Sequence, residues 1–402
     1  MITPKTLSDR LARVPASPIR KLVPYANEAK KEGVYVYHLN IGDPDIKTPD
    51  VMLDVLHSWD KNPIAYSQSH GEPALLDAID WYYQHCGYSF ITPKNIQITT
   101  GGSEAISMAL FSVTNPGDEV IVFEPLYANY NSYAAINLVH FVPIETSIVN
   151  GFHLPKRSDI VKKISKKTKA ILICTPNNPT GTVYTKQEMD MLVDIAKEYG
   201  LFLLSDEVYR EFVYDGTKHV SLLSYLQEIP EQAIVLDSLS KRYSLCGARL
   251  GMLVSLNADL MHGVLRIAQG RLSSGLVDQL MASKLTKVED SYIEGVQKEY
   301  EKRRNVLYEE LKTIPGLIIP KPEGAFYTIV KLPIDDAEDF AAYLLTTFRD
   351  NNETIMIAPA TGFYVTVGMG KDEIRIAYVL NIKSLKRSIE ILRKALIAYK
   401  KV

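Results

Sequence analysis

One lysine lies in a short stretch whose side chains could trap a carbonyl compound and hold an anion beside it. Lys241 follows Ser238 and Ser240, and Arg249 comes eight positions later between two glycines. A lysine amine can condense with an aldehyde to give a Schiff base, and it can carry protons when it is free. Hydroxyls and a forked guanidinium suit a phosphate, and glycines let the backbone approach it closely. The stretch therefore indicates a covalent carbonyl site with an adjoining anion site.

The cofactor that fits such a stretch is pyridoxal 5′-phosphate, which combines an aldehyde with a phosphate and is held in proteins by a lysine Schiff base. From these residues alone a second interpretation stays open. Lys241 could be an ordinary surface charge, and the two serines could be turn residues. The remainder of the chain is needed to choose between the two.

Length and composition indicate a globular protein with more than one folding unit, because 402 residues exceed what one simple core usually serves. The net charge of −2 gives no attraction to nucleic acid or to a membrane surface. No apolar stretch reaches the roughly 20 residues that span a bilayer, and the N-terminal region lacks the apolar core of a secretion signal. The three cysteines are widely spaced and form neither a metal pattern nor a disulfide framework. We therefore expect a cytoplasmic protein without nucleic-acid, membrane or metal partners.

Short apolar runs alternate with helical patterns through the middle of the chain, which predicts an α/β fold with a mostly parallel sheet and helices on both faces. Ligand sites in such sheets lie beyond the carboxyl ends of the strands. Candidate polar groups and helix starts follow the predicted strands in turn, namely Gly102 with Ser103, Tyr127, Asn178, Asp206 and Lys241. We therefore predict that these residues share one site.

The sequence pattern changes after about residue 280. A long, charged, amphipathic helix is predicted over 283–311, followed by short strands mixed with helices. This pattern predicts a smaller α+β domain, with which an N-terminal helix near 20–31 packs. The predicted division is an N-terminal arm and part of the small domain in 1–45, a large cofactor-binding domain in 46–285, and the small C-terminal domain in 286–402.

Eight motifs follow one another along the chain. They are Asn40-Ile41-Gly42-Asp43-Pro44-Asp45, Tyr66 with Gly71 and Pro73, Thr100-Gly101-Gly102-Ser103-Glu104-Ala105, Pro125-Leu126-Tyr127, Asn177-Asn178-Pro179-Thr180-Gly181, Ser205-Asp206-Glu207-Val208-Tyr209, the 241–249 stretch and Ile374-Arg375-Ile376. In this order and spacing the chain resembles a fold-type I pyridoxal-phosphate enzyme of the class I/II aminotransferases, of the aspartate aminotransferase type. The resemblance runs from about residue 18 to the C terminus.

The resemblance implies how the ring of pyridoxal 5′-phosphate would be held. Asp206 would bond the pyridine nitrogen, and Tyr209 and Asn178 would bond the phenolic oxygen. Tyr127 would stack on the ring, where offset stacking contributes about 0.5–1.5 kcal/mol beyond burial. With Lys241, the carboxylate and Tyr209 form the implied catalytic set. Each polar residue also has a plain interpretation, such as a helix cap for Asp206 or an Asx turn for Asn178.

The resemblance also implies a phosphate site at the start of a helix, where free N–H groups favour an anion. Its members would be Gly102, Ser103, Ser238, Ser240 and Arg249. A further residue, Tyr66, would reach the phosphate of the neighbouring subunit. The enzyme would then be an obligate homodimer with shared active sites.

The implied substrate site comprises Gly42, Asn178 and Arg375. Arg375 would bind the substrate α-carboxylate through its planar fork, with help from Asn178. Gly42 lies where the backbone would close over the substrate and exclude water. Taken alone, Arg375 could instead face solvent from the exposed side of a strand.

The predicted function is the transfer of an amino group from an L-amino acid to a 2-oxo acid by a ping-pong mechanism, with aspartate and 2-oxoglutarate as one candidate pair. Ser103 stands where some aspartate-type relatives carry a lysine, which argues against strict dicarboxylate specificity. Arg271 lies near the region where other relatives place an arginine for the distal carboxylate. The alternatives are a cysteine–sulfur β-lyase on the same scaffold and a non-catalytic amino-acid-sensing domain.

Overall fold

Strands and α-helices alternate along the chain, as the sequence pattern predicts. The computed structural model describes residues 7–18 and 20–399. In these residues the strands are β1 (Tyr35–His38), β2 (Ile96–Thr99), β3 (Glu119–Glu124), β4 (His140–Glu145), β5 (Thr168–Cys174), β6 (Phe202–Asp206), β7 (Ala233–Ser238), β8 (Gly251–Val254), β9 (Tyr327–Lys331), β10 (Glu353–Met356), β11 (Ala358–Pro359) and β12 (Glu373–Ala377). The α-helices are α1 (Asp9–Arg13), α2 (Val23–Lys31), α3 (Asp50–His57), α4 (Pro73–His85), α5 (Gly101–Val113), α6 (Asn129–Asn137), α7 (Arg157–Val161), α8 (Lys186–Tyr199), α9 (Leu239–Arg242), α10 (Ala258–Arg271), α11 (Leu276–Ala282), α12 (Asp290–Lys312), α13 (Ala337–Thr346) and α14 (Ile382–Tyr399).

The largest sheet has the strand order β2-β8-β7-β6-β5-β3-β4. Among the described residues, only β8 runs in the direction opposite to the other strands of this sheet. Both faces are buried, because successive side chains of β5 enter opposite cores, Ile171 on the side of α8 and Leu172 on the side of α5. This arrangement confirms the predicted α/β fold with helices on both faces of a mostly parallel sheet.

Six strands of this sheet run in one direction, and the carboxyl ends of five of them, β2, β3, β5, β6 and β7, lead to the predicted site residues. β2 is antiparallel to β8, and β8 is antiparallel to β7, so β2 runs in the same direction as β3, β5, β6 and β7. In sheets of this kind ligands bind beyond the carboxyl ends of the strands. The residues that follow these five strands are therefore brought to one side of the sheet.

A second, smaller α+β unit is built around the antiparallel sheet β11-β12-β9. The N-terminal part of the chain contributes to it. β1 pairs in parallel with β10, and α2 packs against α13. Residues far apart in sequence are thus joined, and the loop between β1 and α3 passes over the edge of the large sheet.

The single helix predicted over 283–311 is wrong at its start. Ser283–Lys287 form a 3-10 helix, the backbone is extended at Val288 and Glu289, and α12 begins only at Asp290. The physical reason is a change of core. Leu285 packs in the core beneath α4, whereas Val296 packs in the core on the opposite side of the sheet. A straight helix could not bury both residues.

The helices are amphipathic rather than apolar throughout. α14 buries Leu385, Leu392 and Leu396 at helical spacing and exposes Lys383 and Lys386. None of the helices in the described part of the chain combines the length and the apolar character needed to cross a bilayer.

Candidate active site

Two adjoining cavities open at the carboxyl edge of the large sheet. The small cavity, of about 140 Å³, is lined by every predicted cofactor residue except Tyr66, namely Gly102, Ser103, Tyr127, Asn178, Asp206, Tyr209, Ser238, Ser240, Lys241 and Arg249. The large cavity, of about 450 Å³, is lined by Tyr127, Asn178, Tyr209 and Lys241 as well, and it adds Gly42 and Arg375. The structure therefore brings the predicted cofactor and substrate residues together.

The candidate lysine lies on α9, a helix of only four residues directly after β7. Ser238 caps this helix, because its Oγ accepts the N–H of Ser240 at 3.2 Å. The same hydroxyl donates to the carbonyl of Leu250 at 2.8 Å, which ties α9 to the chain that enters β8. So short a helix is not stable alone, and these bonds help to fix the position of Lys241.

A buried ion-pair network holds α9 from behind. Arg242, next to Lys241, donates to both oxygens of Asp237 at 2.8 and 3.0 Å and to Glu211 at 2.6 Å. Asp237 precedes the helix, and Glu211 belongs to the loop that carries Tyr209. Arg242 therefore links the chain segments of the lysine and the tyrosine, and charge-assisted bonds of this length are strong.

The lysine amine lies where the two cavities meet. Nζ of Lys241 donates to the carbonyl of Gly42 at 2.9 Å and lies 3.4 Å from Sγ of Cys246. A methyl group on Gly42 would overlap the hydroxyl of Tyr327, so glycine is required for the loop to approach this closely. The amine is thus accessible from the cavities and has no carboxylate partner in the described part of the chain.

The anion site of the small cavity combines a helix start with an unpaired guanidinium. α5 begins at Gly101, where φ is +76° and an added Cβ would lie 2.6 Å from Nη2 of Arg249. A Cβ on Gly251 would lie within 2.6 Å of the backbone of Gly101 and Gly102, so glycine lets β8 pass close to the helix start. Within residues 7–18 and 20–399 no acidic group pairs with Arg249, whose Nη1 donates to a backbone carbonyl. Free N–H groups, hydroxyls and an unpaired arginine are the donors that a phosphate requires.

At the opposite end of the small cavity lies a buried carboxylate. Asp206 ends β6 and accepts a hydrogen bond from the hydroxyl of Tyr130 at 2.5 Å. Burial raises the pKa of Asp206 to about 6, although the Tyr130 hydroxyl and the N–H of Val208 act in the opposite direction. No lysine, arginine or histidine pairs with Asp206 in the described residues. The site is therefore suited to a ring nitrogen that can carry a proton.

Three polar side chains connect the small cavity to the large one. Nδ2 of Asn178 donates to the hydroxyl of Tyr209 at 3.4 Å, and this hydroxyl lies 3.2 Å from that of Tyr327. Burial raises the pKa of Tyr209, so its hydroxyl stays protonated near neutral pH and can donate a hydrogen bond. Tyr327 comes from β9 of the smaller unit, and the contact therefore crosses between the two units.

Arg375 on β12 is a buried cation whose partners are neutral. It is 2% exposed, and it donates to the side-chain oxygen of Asn178 at 3.1 Å and to the carbonyl of Asn40 at 2.5 Å. Its guanidinium carbon lies 4.6 Å from the ring centre of Tyr327 and 4.9 Å from that of Phe363. Burial lowers its pKa, Nε has no hydrogen-bond partner, and no acidic side chain of residues 7–18 and 20–399 pairs with it. Such a site is prepared for an anion from outside the chain.

Two tyrosines and one cysteine of the site were not predicted as site residues. Tyr130 lies in the first turn of α6, shortly after Tyr127. The helix start at Asn129, directly after a predicted site residue, is the signal that could have indicated it. Tyr327 lies in an apolar strand and gives no separate signal. Cys246 lines both cavities but resembles an ordinary loop residue in the sequence.

Two predicted residues lie outside the cavities. Tyr66 is 84% exposed, in a segment without regular secondary structure. Arg271 is half-buried and committed within its own chain, because its Nε donates to both oxygens of Glu104 at 2.9 and 3.1 Å and its Nη2 donates to the carbonyl of Ile98. The ion pair with Glu104 neutralises the charge that a distal carboxylate would need.

Comparisons with known proteins agree with this geometry. The sequence pattern of the family described as aminotransferase class I and II matches residues 36–392. The chain is 30% identical to an aspartate aminotransferase of Pyrococcus horikoshii over 97% of both chains, and 31% identical to aromatic-amino-acid aminotransferase 2 of Thermococcus litoralis over 97% of this chain and 98% of that one. Among solved structures, the aspartate aminotransferase from Thermus thermophilus with maleate superimposes with a TM-score of 0.87 at 26% identity, covering 98% of this chain and 100% of that one.

The chain belongs to the aminotransferase class I and II family. It is an aminotransferase that depends on pyridoxal 5′-phosphate and moves an amino group between an amino acid and a 2-oxo acid. The aminotransferase relatives favour this reaction over β-elimination by a lyase and over a purely sensing role. The residues of the small cavity fit the cofactor, because an unpaired arginine, a helix start and a buried carboxylate complement its phosphate and its ring nitrogen.

The raised pKa of Asp206 predicts that this residue destabilises the cofactor-free protein. Its folded-state pKa of about 6 lies above the ordinary value of 3.8, so stability is lost as pH rises from about 4 to 6 and stays low above that range. The cost above pH 6 is about 3 kcal/mol. Asp206→Asn should stabilise the cofactor-free protein at pH 8, and urea unfolding should show no such gain at pH 4.

The same variant should bind pyridoxal 5′-phosphate more weakly at pH 8, because the amide cannot form an ion pair with the ring. Asp194→Asn, on the exposed face of α8, is the matched control and should change neither property. Equal unfolding free energies for Asp206→Asn and the unaltered protein at pH 8 would argue against a costly buried charge.

The contacts of Tyr327 predict that its hydroxyl and its ring affect the kinetics separately. Tyr327→Phe removes one hydrogen bond, worth about 1 kcal/mol, and should lower kcat/KM roughly fivefold. Tyr327→Leu also removes the ring beside Arg375 and should raise KM further. Steady-state kinetics with one amino donor distinguishes the two, and identical kinetics for both variants would contradict the role of the ring.

Proposed function

We propose that this aminotransferase works by a ping-pong mechanism in which Lys241 is the base and Arg375 binds the α-carboxylate of each substrate. One observation carries the proposal. A buried arginine that has no acidic partner among the described residues lines the same cavity as an accessible lysine amine. An amino acid bound by its carboxylate at Arg375 would present its amino group and Cα within that cavity.

The cofactor supplies an aldehyde for the amino group and a ring that withdraws electrons from Cα. Lys241 would hold the cofactor at rest and, once displaced by the substrate amine, would take the proton from Cα. Asp206 would pair with the protonated ring nitrogen, which lowers its pKa again and removes the cost of its burial. Tyr209 and Asn178 would donate to the phenolic oxygen, and Tyr127 would stack on the ring.

The phosphate would lie at the start of α5. Its proposed ligands are Gly102, Ser103, Ser238, Ser240 and Arg249. Arg249 is supported by its lack of an acidic partner among the described residues, and the helix start by its free N–H groups. On the substrate side, Gly42 and Asn178 would complete the site around Arg375.

We further propose a homodimer in which Tyr66 reaches the phosphate of the partner's site. This tyrosine is strongly exposed in the segment that precedes α4, and a second subunit would cover it. The proposed domain division is 1–45 as arm and part of the small domain, 46–285 as the large domain and 286–402 as the small domain. A cytoplasmic location is proposed because the cysteines at 86, 174 and 246 are free thiols.

Aspartate and 2-oxoglutarate are the first candidate substrates. They are supported by the aspartate aminotransferase relatives, and maleate in the Thermus thermophilus structure is also a dicarboxylate. Aromatic amino acids are the second candidate donors, because one relative is an aromatic-amino-acid aminotransferase. Ser103 and the internal pair of Arg271 with Glu104 leave the distal carboxylate without the ligands expected from the resemblance.

A screen of amino donors tests the reaction. With 2-oxoglutarate or pyruvate as acceptor, the enzyme should form a new amino acid in amounts equal to the 2-oxo acid released from the donor. Lys241→Ala removes both the covalent link and the base. A positioned base usually contributes roughly 10²–10⁴-fold to the rate, and the rate of this variant should fall by more than that.

Lys162→Ala, an exposed lysine after α7, serves as the matched control and should keep full activity. Release of ammonia without a new amino acid would indicate a lyase instead. Near-normal turnover of Lys241→Ala would remove the lysine from the mechanism.

The shared-site proposal predicts a dimer. Sedimentation equilibrium should give twice the mass of one chain, and Tyr66→Phe should leave the dimer intact but weaken cofactor binding about tenfold, because one charge-assisted hydrogen bond to phosphate is lost. Tyr35→Phe, another strongly exposed tyrosine, is the control and should bind the cofactor normally. A monomer that retains the cofactor with full affinity would exclude the arrangement.

A further inference from the structure

The large cavity contains a second arginine whose charge is not neutralised. Arg20 lines this cavity together with Arg375. Its neighbour Lys21 forms an ion pair with Glu338, but within residues 7–18 and 20–399 no acidic side chain pairs with Arg20. Because Arg375 is the proposed ligand of the α-carboxylate, Arg20 is left as a free cation on the wall that surrounds the rest of the substrate.

The backbone around Arg20 is held against the smaller unit on both sides. On one side, Pro18 packs so closely on Gly362 that an added Cβ there would overlap the proline ring. On the other side, Lys21 bonds Glu338, which also accepts the hydroxyl of Thr361 at 2.7 Å. Gly362 adjoins Phe363, whose ring packs on Arg375. The two arginines are therefore carried by one connected part of the molecule.

The remaining wall of the cavity carries both polar and apolar groups. Ser17, Asn40 and Asn129 contribute hydroxyl and amide groups, and Val23 and Ile41 contribute apolar ones. The one acidic residue in this wall among the described residues, Asp43, lies on the side of the lysine. Its carboxylate is beside the thiol of Cys246, whose pKa is raised by burial and by this contact. The polar part of this wall can accommodate a charged substrate side chain beside Arg20.

We propose that Arg20 binds the side-chain carboxylate of an acidic amino acid and so sets the preference of this enzyme for dicarboxylic substrates. The proposal rests on the proposed function, because it assigns Arg375 to the α-carboxylate. It supplies the distal ligand that Ser103 and Arg271 do not provide. An arginine fork suits this task, since it can donate two parallel hydrogen bonds to a carboxylate.

Binding of succinate and of butyrate to the cofactor-loaded enzyme tests the proposal without turnover. Both acids have four carbons, and only succinate has a second carboxylate. Calorimetry should show that succinate binds at least tenfold more tightly than butyrate. Arg20→Gln should weaken succinate binding about 10- to 100-fold, as expected for a lost charged hydrogen bond, and should affect butyrate far less.

Two further variants separate direct contact from general charge. Lys31→Gln removes the same charge at the far end of α2, where the side chain is exposed and paired with Glu28, and should keep the preference for succinate. Arg20→Lys should retain part of the preference, because the charge remains but the fork is lost. Cofactor absorbance checks that each variant is folded.

Three results would overturn the assignment. They are equal binding of succinate and butyrate by the unaltered enzyme, an equal loss in Lys31→Gln and Arg20→Gln, and tighter binding of 5-aminopentanoate than of succinate, which would point to Asp43 and a cationic side chain. A different result would contradict the proposed function. It would be excluded by the absence of amino transfer from every donor, whatever the calorimetry shows.

Discussion

The active site depends on two buried charges that the protein does not neutralise itself. Asp206 and Arg375 lie at the two ends of the connected cavities, and neither forms an ion pair within residues 7–18 and 20–399. Leaving a buried charge without a counter-charge costs free energy. In the proposed function, bound cofactor and substrate would supply the missing partners, and the free energy that the empty fold loses would be recovered on binding. The specificity of the proposed site would follow from these two charges that lack a counter-charge.

Two adjacent residues, one with ionic partners and one without, show how the fold keeps such a site in place. Arg242 turns inwards and is fully paired with Asp237 and Glu211. Lys241, one position earlier, turns towards the cavities, where its amine meets only a carbonyl and a thiol. The satisfied arginine anchors a helix of four residues, and the anchored helix presents the unsatisfied lysine. A paired, buried arginine thus supports a neighbouring lysine that faces the cavities.

The residues at the strand ends could be predicted from the sequence. In a parallel sheet, a polar group that follows an apolar strand lies at the carboxyl edge of the sheet. Asp206 follows this rule, and the buried Arg375 was identified only through the family resemblance, because its strand is apolar on both sides. Tyr327 escaped prediction for the same reason, since nothing local distinguishes it from a core tyrosine. Arg271 pairs with Glu104, 167 positions away in sequence, and no local pattern reveals such a contact. The break before α12 likewise depends on which core each side chain enters.

The groups proposed for chemistry and those proposed for substrate selection come from different parts of this chain. The groups proposed for the cofactor follow strands of the large sheet, whereas Arg20, Gly42 and Arg375 come from the N-terminal segment and the smaller unit. Pairing of β1 with β10 and the contacts of Pro18 and Lys21 join that segment to the strand of Arg375. The spacing between the two substrate cations is therefore set within one connected unit. Selection could then change through the N-terminal segment while the sheet that holds the cofactor stays the same.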